Sequence, residues 1–512
     1  MFNFLRDIYT GISDVISGTA AERSTNLKNQ IAFIESAIKK FENSEARITM
    51  SVAERYYRNE NDILQARRYV IGRDPQTNQA VLMESKVLAN NKLNHNFMKK
   101  LTRQKIGYML SKPFSFSAVH AEDELAEEMF KKINKEYLGD DFLKMIKNVG
   151  RDSIVKGIAW LLVYYNEEGK LKFKRVAPEE VVPIWADNDH TVLDAVIRKY
   201  KLISFEEGRE IETTYVDYYT LQGVYNFKQN RDGKLVPLNN GDPVPHFSRI
   251  VQDETGNPTQ IGINWTRIPF IPFKYDPDEQ SLLVRIKNLI DDYDRKTSGL
   301  ANNIDDFPNA MLVIKNYDGA SKEEFTHNKN QYRSIFVQGD GDAKVLEQPL
   351  NVTEVDKHIE RLRQDIYEFG QGVDTANKDI RDTSGVALRF LYADLDMDCL
   401  DWGSEVKWSL MQLIWFIQQD ILARENIDYS EVEYDIVFNT DVIINESETI
   451  QNCFTSMGII SDETIAANHP WTIDAKKEIK AKLRGQEEEL KLEQEYGNKP
   501  GGEFNGQRAA KN

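Results

Sequence analysis

Six apolar residues near the chain's two-thirds point, Val352, Val355, Ile359, Leu362, Ile366 and Phe369, recur at spacings of 3, 4, 3, 4 and 3. A heptad seam of that kind dictates an amphipathic helix whose stripe must be covered by another helix. A matching stripe lies upstream in residues 281–306: Leu282, Leu283, Ile286, Leu289, Ile290 and Tyr293 share one face, with Arg285, Lys287, Asp291, Asp292 and Asp294 on the other. Pro308 marks its exit. Residues 309–350 form a compact insert with strand-like pieces at 311–314 and 334–337. Periodicity alone gives a helical hairpin with a decorated loop. The two stripes exceed what one hairpin needs to bury, so part of the set Ile286, Leu289, Ile290, Ile359, Leu362 and Ile366 is expected to face neighbouring subunits.

The rest of the chain alternates in grammar. The first 45 residues read helical, with Ile31, Ile34, Ile38 and Phe41 in phase, and so do residues 91–110, which Ser111-Lys112-Pro113 stop. From residue 158, β-branched and aromatic runs separated by turns predict strands at 159–165, 171–176, 195–200, 213–220 and 223–228. A helical part over 1–150 therefore packs onto an α+β part over 150–275. After Gly370, Gly372, Asp374, Asn377 and Asp379, a long helical pattern runs from Ser384-Gly385 to near Asn426, with Gly403 as its kink point. A strand at 433–438, short helices over 446–457, from Ser461 and over 473–483, and a polar, disordered tail from 486 complete the chain.

With 41% apolar residues, a chain of 512 residues can build sizeable cores. No run approaches the roughly 18 apolar residues of a membrane span. Met1–Arg6 lack a basic region followed by a long apolar run, so an intracellular origin is the expectation. Two cysteines, Cys399 and Cys453, make neither a disulfide framework nor a four-cysteine zinc site. The net charge of −17 argues against a surface that wraps DNA, while leaving room for contact through a small patch.

No phosphate-binding glycine loop, HExxH, GxSxG or CxxC occurs, and no two of the seven histidines sit at helical spacing. Asp340-Gly341-Asp342 reads as a turn rather than a calcium loop. Asp394, Asp398, Asp401 and Glu405 fall on one helical face; a metal site for phosphoryl chemistry is one reading, and a solvated or lumen-facing acidic surface the preferred one. Arg55-Tyr56-Tyr57-Arg58 and Arg67-Arg68-Tyr69 suit either a phosphate backbone or a subunit interface.

Several stretches together resemble the portal proteins of tailed bacteriophages, of the siphophage type. They are Arg55-Tyr56-Tyr57 with Asn61–Leu64, Asn90-Asn91-Lys92-Leu93, Ser111–Phe114 and Ala177–Ile184. Further on come Ile268–Phe273, Leu289–Asp294 with Ser298, Asn302 and Asp306, and Thr383–Leu388. Their order and spacing over about residues 50–490 carry the likeness. Arg58-Asn59 departs from it, standing where many members have a glycine. The resemblance implies an α+β portal fold: a wing over 1–277, stem helices over 278–306 and 352–372 around a clip at 307–351, and a tunnel loop at 373–384. A long kinked helix with a wing strand follows over 385–445, then a crown over 446–485 and the tail over 486–512.

The implied function is that of a dodecameric ring at one capsid vertex of the virion, assembled in the bacterial cytoplasm. Double-stranded DNA is packaged through it by a terminase and later ejected, and the ring is the head–tail platform. Implied partners are the large terminase subunit, a head-completion adaptor, and the major capsid and scaffolding proteins. No enzyme activity, cofactor or membrane is implied. The mixed charges of Lys322, Glu323, Glu324, Lys329 and Arg333 mark the clip as the docking surface. Lys378, Asp379, Arg381 and Asp382 mark the tunnel loop as the DNA contact. Two other readings stand beside this one: a metal-dependent nucleic-acid enzyme using Asp394, Asp398, Asp401 and Glu405, and a non-portal structural head protein.

Overall fold

The computed structural model describes residues 27–74, 76–85, 88–119, 123–206, 208–252, 258–306, 311–315, 340, 342–346, 352–376, 385–438, 446–472, 475 and 478–486. In chain order the elements begin with α1 (Leu27–Glu42), α2 (Glu45–Tyr57), β1 (Tyr69–Arg73), β2 (Ala80–Glu84), α3 (Phe97–Leu110) and β3 (Ser115–Ala118). Then come α4 (Glu124–Lys132), α5 (Gly139–Lys156), β4 (Ile158–Tyr165), β5 (Leu171–Val176), β6 (Val181–Trp185), β7 (Leu193–Glu206), β8 (Arg209–Thr220), β9 (Gly223–Gln229) and β10 (Leu235–Pro237). The series continues with β11 (Phe247–Gln252), β12 (Pro258–Ile263), β13 (Phe270–Lys274), α6 (Leu282–Asp306), β14 (Met311–Lys315), β15 (Asp342–Leu346) and α7 (Val352–Phe369). It ends with α8 (Gly385–Glu425), β16 (Tyr434–Val437), α9 (Glu446–Thr455) and α10 (Asp462–Asn468). The fold is α+β, and its named strand pairings are antiparallel.

Two compact units emerge: residues 1–374 with 394–441, and residues 375–393 with 442–512. In the first, a meander sheet of order β10-β9-β8-β7-β6 is covered by α1, whose Ile34 and Ile38 join Val182, Ala195, Ile197, Val216 and Phe227 in a core. Period-3.6 apolar spacing in α1 supplies the covering stripe, and Val181, Val196 and Tyr219 of the same sheet pack in a separate core with residues of β4 and β13. A three-stranded sheet, β13-β4-β5, sits beneath a larger core built from α3, α5, α6, α7 and α8. β4 is buried along most of its length, which is why it reads as a continuous apolar run. In the second unit Ser461 caps α10 by accepting the Thr464 N–H at 3.3 Å, and Lys482 pairs with Asp462 at 2.8 Å.

Several expectations change. Helix α3 starts at Phe97 rather than 91, because Asn96 caps it by accepting the Lys99 N–H and residues 89–96 form no helix. The first part of the chain is not all helical: β1 and β2 form a hairpin, and β3 pairs with β16. β14 pairs with β15, Met311 against Leu346 and Lys315 against Asp342, while the strand expected at 334–337 lies outside the described residues. Asp340 lies in a turn. Residues 1–26 and the tail from 487 also lie outside the described residues. The Arg58-Asn59 departure is accommodated directly: Asn59 takes φ +67°, the left-handed conformation a glycine would adopt and that asparagine tolerates best among larger residues.

One half-buried histidine makes stability depend on pH. His246 accepts the Trp265 N–H on Nδ1 at 3.0 Å, so the ring is held neutral, and desolvation pulls its pKa down to about 4. A base whose folded pKa lies below its free value of about 6.5 stabilises the fold fully above 6.5 and ceases to do so as pH falls toward 4. The expected loss is at most about 3 kcal/mol. Thermal midpoints at pH 7 and 4.5 should differ less for His246→Gln than for the parent; equal differences would refute this.

Candidate functional site

Four polar side chains lie one turn apart on a single face of α6: Asp294, Ser298, Asn302 and Asp306. They accept the backbone N–H groups of His95, Leu93, Asn91 and Ala89 at 3.0, 2.9, 2.5 and 2.9 Å. The strap thus advances two residues for every four of the helix. The spacing follows from geometry, since two extended residues cover about 6.6 Å and four helical ones about 6 Å. Asp294, Ser298 and Asn302 are buried, which only these bonds make tolerable. Asp294 also accepts from Asn61 Nδ2 at 2.6 Å and His95 Nδ1 at 2.7 Å.

The turn that leaves α7 is clamped from three elements. Gln104 of α3 bonds Val373 at both backbone groups, donating to its carbonyl at 2.6 Å and accepting its N–H at 3.2 Å. Lys105 donates to the Gln371 carbonyl at 2.9 Å, and Arg285 of α6 to Gln371 Oε1 at 2.7 Å. Arg363 grips both carboxylate oxygens of Asp374, at 2.5 and 2.7 Å. Glycine is required here by close approach: a Cβ on Gly372 would stand 2.2 Å from Leu101 Cδ2, and one on Gly370 2.5 Å from the Ile366 carbonyl. Gly372 is therefore a packing residue.

The clamp reaches α8 through Asp398. This carboxylate, 6% exposed, accepts from the fully buried Lys105 at 2.6 Å, Tyr275 at 2.6 Å and Arg285 at 2.8 Å. Desolvation pulls the Lys105 pKa down against the opposing pull of Asp398, and burial first, then the Asp398 charge, pushes the Tyr275 phenol well up. A cleft of about 630 Å³ opens beside it, lined in part by Asp276, Asp278, Arg285, Asp401 and Glu405. A second ionic cluster ties α2 to α6: Tyr56 bonds Asp291, and Lys287 contacts Asp62 at 2.7 Å and Asp291 at 2.6 Å. Burial opposes the Asp62 charge, but Lys287 and Arg55 outweigh it and hold the pKa at about 2.

Each residue set singled out from the sequence has a definite outcome. Ile286, Ile290, Leu362 and Ile366 are buried in the chain's own core, so they cannot also face a neighbour; Leu289 and Ile359 are half-buried at its margin. Leu362→Asp would consequently report on folding rather than assembly. The acidic stripe is not a uniformly solvated surface: Asp394 and Asp401 are exposed, Asp398 is the buried hub, and desolvation raises the Glu405 pKa. No cluster with metal-ligand geometry exists among the described residues. The arginines read as phosphate contacts are engaged within the chain, Arg55 with Asp62, Arg58 with Glu54, Arg67 with Glu84 and Arg68 with Asp306. Lys322, Glu323, Glu324, Lys329, Arg333, Lys378, Asp379, Arg381 and Asp382 lie outside the described residues. Sequence reasoning missed the Gln104 and Lys105 clamp. Its only local signal was a lysine on the apolar face of α3.

A sequence model of the family described as "Phage portal protein, SPP1 Gp6-like" matches residues 37–492. The chain is similar to the "Portal protein" of Bacillus phage SPP1, 29% identical over 435 residues, 83% of this chain and 81% of that one. It is also similar to the "Portal protein" of Clostridium phage phiCD119, 27% identical over 465 residues, 87% of this chain and 94% of that one. A solved structure titled "Neck of empty GTA particle computed with C6 symmetry" matches with a TM-score of 0.40 and 9% identity, over 73% of this chain and 90% of that one. No helix among the described residues is long and apolar enough to cross a membrane.

Proposed function

Because the chain belongs to the SPP1 Gp6-like family of phage portal proteins, we propose that twelve copies form a ring at one capsid vertex of the virion. Double-stranded DNA enters through the ring during packaging and leaves through it on infection. In this reading α6 and α7 are the stem, residues 307–351 the clip, residues 373–384 the tunnel loop and residues 446–485 the crown. Leu289 and Ile359, at the margin of the intrachain core, are the stem side chains left to meet a neighbour. The clip, through Lys322, Glu323, Glu324, Lys329 and Arg333, docks first the large terminase subunit and then the head-completion adaptor; mixed charge suits a contact that must form and release. Capsid and scaffolding proteins surround the ring, which assembles in the host cytoplasm. The portal itself has no catalytic role, ATP hydrolysis being the terminase's.

The observation that carries this reading is the family match over residues 37–492. Negative-stain images of the purified protein should show closed rings with a central channel, and light scattering a mass near twelve chains. Monomers lacking a channel at micromolar concentration would overturn it.

The tunnel loop gives a second test. Lys378 and Arg381 touch phosphates while Asp379 and Asp382 cancel the grip, so DNA slides. Asp379→Asn with Asp382→Asn leaves about two dozen uncancelled positive charges around a dodecamer. Packaging should slow or stop at low salt, recover in part at higher salt, and leave ring mass unchanged. Wild-type packaging rates at every salt concentration would show that these residues do not meet DNA.

A further inference from the structure

Helix α3 carries a basic face that none of the preceding contacts explains. Asn96, Lys99, Lys100, Arg103 and Gln104, spaced as one side of a helix, line a pocket of about 400 Å³. Lys99 and Lys100 are half-buried and held by aromatic faces, Lys99 Nζ 5.7 Å from the Tyr57 ring centre and Lys100 Nζ 5.1 Å from that of Tyr367. Arg103 is exposed. Among the described residues none of the three cations has an ion pair, although this chain carries 82 acidic residues and a net charge of −17. The nearby carboxylate of Glu54 is already engaged by Arg151, Arg58 and Lys156.

Three like charges kept together on an acidic protein repel one another, and an anion seated among them relieves that repulsion. The donors open to a ligand differ in kind, two ammonium groups and a guanidinium fork, while the Gln104 and Asn96 amides are already committed within the chain. That set matches the several oxygens of one phosphate better than the two of a carboxylate. Gln104 lines the pocket and also holds Val373.

We infer that this pocket seats a backbone phosphate of double-stranded DNA, one per subunit, as a second contact distinct from the tunnel loop. The choice of DNA over another phosphate rests on the portal reading. One seat per subunit, with acidic surroundings, gives brief contact rather than a firm grip, because affinity scales with the number of phosphates neutralised.

The test uses the full chain, a labelled 20-base-pair duplex and anisotropy over a series of salt concentrations, with light scattering on the same samples. The parent should bind more weakly as salt rises. The variant Lys99→Gln/Lys100→Gln/Arg103→Gln should bind on the order of tenfold more weakly at low salt, with a log–log salt slope shallower by about one per engaged pocket. Arg103→Gln alone, at an exposed position that does not threaten folding, should fall between. Unchanged affinity and slope in both variants would overturn the inference. Loss of rings with DNA binding unchanged would also overturn it, showing that the pocket seats an acidic surface of a second copy. Absence of rings in the parent would instead count against the portal reading, while the slope change would still support the phosphate seat.

Discussion

Asp398→Leu should lower stability by about 3–5 kcal/mol, because it leaves Lys105 charged, fully buried and facing only a carbonyl. Lys105→Met should cost less. Asp398 would then still accept from Tyr275 and Arg285. The pair is thus asymmetric: the carboxylate has three donors and the ammonium one counter-charge. In the double variant Lys105→Met/Asp398→Leu the orphaned charge disappears, so its cost should fall short of the summed single effects by about 1–3 kcal/mol. Thermal midpoints give the cycle, and hydrogen exchange at the 370–374 turn tells whether the clamp loosens first. Additive effects with unchanged exchange would show that the pair does not hold the turn.

Gly157→Ala should be at least as damaging. Gly157 ends α5 at φ +88°, and a Cβ there would stand 1.9 Å from the Glu279 carbonyl oxygen, a backbone atom that no rotamer change can move. Its own groups are committed as well, the N–H to Ser153 at 2.7 Å and the carbonyl to the Tyr275 N–H at 2.9 Å. Left-handed strain costs an alanine about 1–2 kcal/mol; the collision adds more, since residues 275–279 must shift and they set where α6 begins. We expect loss of about 4 kcal/mol or more, read as poor soluble yield or a thermal midpoint lowered by many degrees. Gly169→Ala, at φ +70° with open space around it, is the control that isolates the strain. Equal effects of the two would refute the steric argument.

What the sequence disclosed and what it hid divide along physical lines. The stripes of α6 and α7 were legible because amphipathic periodicity is local, and so were β4, β5 and the β7–β9 meander, joined by short turns. The pairing of β3 with β16 was not, since two four-residue strands join positions more than 300 residues apart. Asp398 was misjudged because its face looked uniformly acidic, while its partners Lys105 and Arg285 arrive from other helices. The apolar stripes were read as too large for one chain, because the other helices packed against α6, namely α2, α3 and α5, carry no marker of where they pack. Conversely, Asp294, Ser298, Asn302 and Asp306 were noticed as a pattern, and only the extended strap explains why their spacing is four.

That strap and α6 form a vernier. Two scales, one advancing about 6.6 Å per division and the other about 6 Å, slip past each other by roughly 0.6 Å at every rung. Over the three intervals from Asp294 to Asp306 the accumulated offset is about 1.8 Å, close to what side-chain rotation can absorb before hydrogen bonds fail. The ladder therefore limits its own length, and it does not slide gradually. A helix displaced along its axis by one residue loses all four bonds at once, and the next matching position is a full division away. Axial load on α6 thus meets a detent: the helix stays in register or jumps by about 6 Å, with no stable setting between.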